Sequence, residues 1–163
     1  MIALEILDVK KCMADMLAGE AFDGFLLCEA NITTGNHFLI DGTVVNDFYD
    51  ENDRIINQID EGYMPYKMER SICFEIIKGK RTPHSFRFTF LASKRDYENI
   101  LGDASSQDIA NLTLNIIYAN GKLTATTAVT HSSFSMDKSA EIAWDKWVRD
   151  FFRHLEIAVS DMI

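Results

Sequence analysis

The sequence predicts an α+β fold, a mainly antiparallel sheet with helices packed on it and a long C-terminal helix. Three observations carry that prediction. Several short segments alternate apolar and polar residues, the period of a half-buried strand, and Asn120-Gly121 joins two of them as a tight hairpin. Other stretches repeat their apolar residues every three or four positions, as a helix laid on a sheet does. The last such stretch carries Ala140, Trp144, Trp147, Val148, Phe151, Phe152 and Leu155 on one stripe, and Trp147 is the expected keystone of its packing.

In chain order, Ile2 to Ile6 alternates as a short strand. Asp8 then caps a helix bearing Val9, Cys12, Met13, Met16 and Leu17, which Gly19 stops. From Phe25 to Thr33 the pattern alternates again, with Leu26, Cys28, Ala30 and Ile32 expected on the buried face. Thr34-Gly35-Asn36 turns the chain into a second strand, His37 to Asp41, and Val44 to Tyr49 reads as a third. Residues 50–79 read as a helical insert. A turn or two capped by Asp50, Asn52 or Asp53 carries Ile55, Ile56 and Ile59 and ends at Gly62. A helix from Pro65 then repeats Met68, Ile72, Cys73, Ile76 and Ile77 at helical spacing up to Gly79. Phe86, Phe88 and Phe90 alternate with Arg87 and Thr89, so three rings belong to one face of a strand. A short helix, residues 94–101, follows. The hairpin then places Leu112, Leu114, Ile116 and Tyr118 beside Leu123, Ala125, Thr127 and Val129. Its other face is threonine-rich: Thr124, Thr126, Ala128 and Thr130.

Written as elements, residues 1–49 and 84–136 show the same β-α-β-β order, including weak third strands at 44–49 and 132–136. The helical insert lies between them, and residues 137–157 form the final helix, all within a single domain of 163 residues. That order resembles the duplicated unit of sliding DNA clamp domains, a likeness of fold and not of function. Clamp domains hold DNA with basic helices. Here Lys10 and Lys11 are offset by Asp8 and Asp15, and Lys94 and Arg95 by Asp96 and Glu98.

A second likeness rests on particular residues. Glu29-Ala30-Asn31-Ile32-Thr33-Thr34, Phe38-Leu39-Ile40-Asp41-Gly42, Ile77-Lys78-Gly79-Lys80-Arg81-Thr82-Pro83, Asp137-Lys138-Ser139 and Ala143-Trp144-Asp145 resemble the patterns of a small bacterial family catalogued only as a domain of unknown function. The likeness spans nearly the whole chain and implies no activity, cofactor or site residues.

Composition narrows the classes of function. Twenty-five acidic against sixteen basic residues give a net charge of −9, which works against non-specific binding to nucleic acid or anionic lipid. The opening residues lack a signal-peptide pattern and no apolar run is long enough to span a bilayer, so a cytoplasmic location is expected. Cys12, Cys28 and Cys73 are odd in number, widely spaced and set among apolar neighbours. They read as free thiols, and neither a disulfide framework nor a metal site is expected.

One segment runs against the acidic balance. Lys78, Lys80, Arg81, Arg87, Lys94 and Arg95, with His84, occur with no acidic residue between them. Lys78, Lys80, Arg81, His84 and Arg87 are therefore the candidate site for an anion or a partner, because guanidinium and ammonium groups pair with phosphate and carboxylate. The same cations also suit a helix C-terminus, whose dipole favours positive charge. Gly-x-x-x-x-Gly-Lys-Ser/Thr does not occur, so this is not a Walker-type phosphate loop.

Other clusters point to less. His37, His84, His131 and His154 are dispersed and no nucleophile motif occurs, so no catalytic residue is assigned. Asp41, Asp47, Asp50, Glu51 and Asp53 cluster, but away from calcium-loop spacing, as helix caps do. The expectation is a non-enzymatic binding or interaction domain with no cofactor, using the threonine face or the basic segment. Its partner would be a protein or a second copy. An enzyme with residues near His84, His131 and Asp41, or a clamp-like nucleic-acid accessory, stands as the alternative.

Overall fold

A computed structural model describes residues 1–60, 62–104 and 108–162. The strands are β1 (Ala3–Ile6), β2 (Phe25–Thr33), β3 (His37–Asp41), β4 (Met64–Pro65), β5 (Ser85–Ala92), β6 (Ile109–Ala119), β7 (Lys122–His131) and β8 (Val159–Asp161). The helices are α1 (Val9–Met13), α2 (Glu51–Asn57), α3 (Tyr66–Ile77), α4 (Tyr97–Leu101) and α5 (Ser139–His154). All strand pairs are antiparallel and form one sheet in the order β3-β2-β5-β6-β7-β1-β8, with β4 on the same edge of β2 as β3. The fold is therefore α+β, with the C-terminal helix in place.

The sheet has one dry face. Phe88 lies opposite Ala30 and Ile116, Ile116 opposite Ala125, and Ala125 opposite Leu4, and all five are buried. They join Cys12, Met16, Tyr66, Cys73, Trp144, Val148 and Phe152 of the helical layer in one core. The next row along these strands is Asn31, Arg87, Ile117, Thr124 and Glu5, exposed or half-buried on the other face. Helices therefore cover one face, and the threonine-rich face is open. Trp144, rather than Trp147, is the fully buried indole of α5. Its Nε1 donates to the Thr113 carbonyl at 2.9 Å, while Trp147 is half-buried and stacks between Trp144 and Phe151.

Several local expectations change. In β2 the register shifts between Leu27 and Glu29, so Phe25 and Leu27, not Leu26 and Cys28, share the core with Ala30 and Ile32. A bulge inserts one residue and flips the phase of the strand, which a constant period of two cannot anticipate. Residues 44–49 are not a strand; only Thr43 bridges to Tyr63, and the chain then turns. Residues 132–136 are irregular as well: β7 ends at His131, and Asp137 accepts from Ser139 N at 2.9 Å in the turn that precedes α5. The insert holds the two helices expected of it, with the short β4 between them as the addition, and in α3 Tyr66, Cys73 and Ile77 are buried while Met68 and Ile72 are exposed.

The β-α-β-β order does recur, as β1-α1-β2-β3 and β5-α4-β6-β7. Strand pairing does not follow it: β5 lies against β6, whereas β1 lies against β7 and β8. The acidic cluster acts locally. Asp50 caps α2 by accepting from Asp53 N at 2.7 Å, and Asp41 accepts from Thr43 N at 2.9 Å.

Candidate functional site

A groove of about 520 Å³ lies between α1, the end of α3 and the loop leading to β5. Its shape begins with local sequence. Asp8 caps α1 by accepting from Lys11 N at 3.1 Å, and the helix then widens into a π turn, Ala14–Ala18, before Gly19. The wider turn sets Ala14, Leu17 and Ala18 along the same wall as Val9 and Met13. Phe74 and Ile77 of α3 form the opposite wall, and Tyr118 of β6 and the buried Pro83 complete an apolar lining.

The rim is cationic. Helix α3 ends at Ile77, Lys78 is extended at its C-cap, and Gly79 takes φ +146°, a conformation that favours glycine. The chain therefore turns sharply and carries Lys78, Lys80 and Arg81 along the groove, with Lys10 of α1 on its other side. No carboxylate lines the groove among the described residues. Lys78 is engaged by Glu75 Oε1 at 2.9 Å, whereas Lys10, Lys80 and Arg81 form no ion pair among the described residues. An exposed cationic rim over an apolar floor attracts an anion that also has an apolar body, against the acidic balance of the whole chain.

Of the five predicted site residues, three thus meet here. His84 and Arg87 do not. His84 is exposed and its backbone N–H is tied to the Thr33 carbonyl at 2.9 Å, while Arg87 projects from the open face of the sheet. The alternation of β5 separates Arg87 from the groove, since Phe86 and Phe88 take the core side. Lys10, read in the sequence with Lys11 as offset by Asp8 and Asp15, also lines the groove. In fact Lys11, not Lys10, is neutralised, by Asp15 at 3.0 Å. No local spacing signals Lys10, because it reaches the groove only through the packing of α1 beside α3.

The histidine constellation does not assemble. His131 ends β7 opposite Ile109, and His84 precedes Ser85 at the other end of the sheet, level with Thr33 and Ala119. Asp41 is on the edge strand β3. His131 instead meets Glu141 of α5, Nε2 to Oε1 2.8 Å, beside a small cavity of about 40 Å³ near Asp137 and Ser139. Among the described residues no cluster of three or more His, Cys, Asp or Glu is placed to hold a metal ion. No helix among them is long and apolar enough to cross a membrane. The three cysteines are free, and burial pushes the thiols of Cys12 and Cys73 up to about 12.

Comparison with known proteins gives a family without an activity. No curated protein and no solved structure matches the chain. A family model described as a family of unknown function, DUF5721, matches residues 15–160, and the chain belongs to that family.

Proposed function

We propose that this member of a family of unknown function is a non-enzymatic binding domain whose ligand is a small amphipathic anion, an apolar chain or ring bearing one carboxylate or phosphate. The observation that carries the reading is the pairing of opposites in one groove: an apolar floor under Lys10, Lys80 and Arg81. A groove of about 520 Å³ is the size of a small-molecule site. The π turn that shapes its wall supports the same reading, because such turns are frequent at functional sites. Each cation that pairs with the head group adds a charge-assisted hydrogen bond, and the floor takes up the apolar body by excluding water. Free cysteines in the core suit a reducing compartment, which supports a cytoplasmic setting.

Isothermal titration with dodecanoate, dodecyl phosphate and uncharged dodecanol, each below its micelle concentration, tests the proposal. Both anions are expected to bind one per chain and the alcohol at least about tenfold more weakly, the difference of one charge-assisted pair. Equal affinity for the alcohol, or no heat from any of the three, overturns it.

A further inference from the structure

The edge strand β3 presents a self-complementary surface. Its inner edge pairs with β2, and its outer edge has no strand partner among the described residues. Thr34 N donates to the Asn36 carbonyl and Gly42 N to the Cys28 carbonyl, both at 2.9 Å, which fixes the phase of the ladder. Backbone groups of Phe38 and Ile40 therefore point inward, and those of His37, Leu39 and Asp41 point outward. Folds usually protect such an edge with lysine, proline or a bulge. This strand has none of these, and it leaves Phe38 38% and Leu39 63% exposed.

We propose that β3 pairs antiparallel with β3 of a second copy of this chain, about a twofold axis through Leu39, joining two sheets into one. The register follows from the outward groups. Leu39 faces Leu39 of the partner subunit and exchanges both backbone hydrogen bonds with it. His37 falls opposite Asp41 of the partner subunit, on both sides of the axis. On the open face this gives an apolar centre flanked by two His–Asp pairs, and on the other face Phe38 meets Ile40 of the partner subunit. A shift by one residue would lose both the backbone hydrogen-bond phase and the His–Asp match. Hydrogen bonding favours this occupant further: Asp41 lies directly opposite Glu29 across the β2–β3 ladder, two acceptors to which an incoming imidazole brings a ring N–H donor. The segment after β3 adds apolar surface at the same edge of the sheet, with Phe48 76%, Ile55 70% and Ile56 66% exposed.

Analytical ultracentrifugation of the full chain, read with amide hydrogen exchange, tests the pairing. The wild type is expected to dimerise, with the Leu39 amide slowing as concentration rises. Leu39→Lys is expected to be a folded monomer by circular dichroism, since the side chain is exposed. His37→Asp, which sets two carboxylates face to face, is expected to raise the dissociation constant about tenfold, and adding Asp41→His to it restores affinity. A wild type that remains monomeric at millimolar concentration overturns the proposal. So does a dimer whose Leu39 amide exchanges as fast as that of a monomer, because its interface would lie elsewhere.

Discussion

The Lys78 ammonium lies 2.9 Å from Glu75 Oε1 and 6.0 Å from the centre of the Phe74 ring. It is already satisfied by its own helix, whereas Lys80 and Arg81, beyond Gly79, are exposed without an ion pair among the described residues. The rim cations should therefore not contribute equally to holding an anion. Arg81→Ala or Lys80→Ala is expected to weaken dodecyl phosphate binding about five- to tenfold and to flatten its salt dependence, while Lys78→Ala costs less than about threefold. Titration at two ionic strengths separates the cases.

Trp144 and Thr113 form one of the polar ties between α5 and the sheet, beside Thr127–Asp145 and His131–Glu141. The indole is fully buried and donates to a strand carbonyl at 2.9 Å, so its loss removes both packing and that hydrogen bond. Trp144→Ala is expected to cost about 3–5 kcal/mol of unfolding free energy. The half-buried Trp147→Ala should cost less. Urea denaturation of both variants settles the ranking, and a larger loss at Trp147 would show that the stack, not the buried indole, anchors α5.

Gly42 is required by close approach. A Cβ built there would sit 1.7 Å from the Leu27 carbonyl oxygen, at the bulge of β2, where backbone and not a flexible side chain stands in the way. Gly42→Ala is accordingly expected to destabilise by at least about 2 kcal/mol, because the bulge or β4 must move. Gly24→Ala is the control, since nothing lies within 4 Å of its added methyl.

The thiols should differ in reactivity. Burial pushes Cys12 and Cys73 up to about 12, so almost no thiolate exists at neutral pH, while half-buried Cys28 is raised less far. Ellman's reagent is expected to modify one thiol per native chain slowly and all three in urea. Mass spectrometry should place the native adduct on Cys28.

Where the fold was legible in the sequence, a periodic pattern ran long enough to define a face. Phe86, Phe88 and Phe90, the Asn120-Gly121 hairpin and the stripe of α5 all occupy the positions their spacing predicts. The pattern failed where one residue breaks it, as at the bulge after Leu27, or where the element is too short to show a period, as in β4 and β8. The candidate site was half legible. Adjacent cations in the chain pointed to Lys78, Lys80 and Arg81, but strand alternation sends Arg87 to the opposite face. Lys10 joins the groove only through packing of α1 beside α3, which no local spacing encodes.

The most direct test of the binding role maps where an amphipathic anion lands. Isotope-labelled protein titrated with dodecyl phosphate is expected to shift amide resonances of Val9 to Ala18, Phe74 to Thr82 and Tyr118, with Lys80→Ala and Arg81→Ala suppressing those shifts. Saturable shifts confined to another surface, or unchanged by those two substitutions, would contradict it.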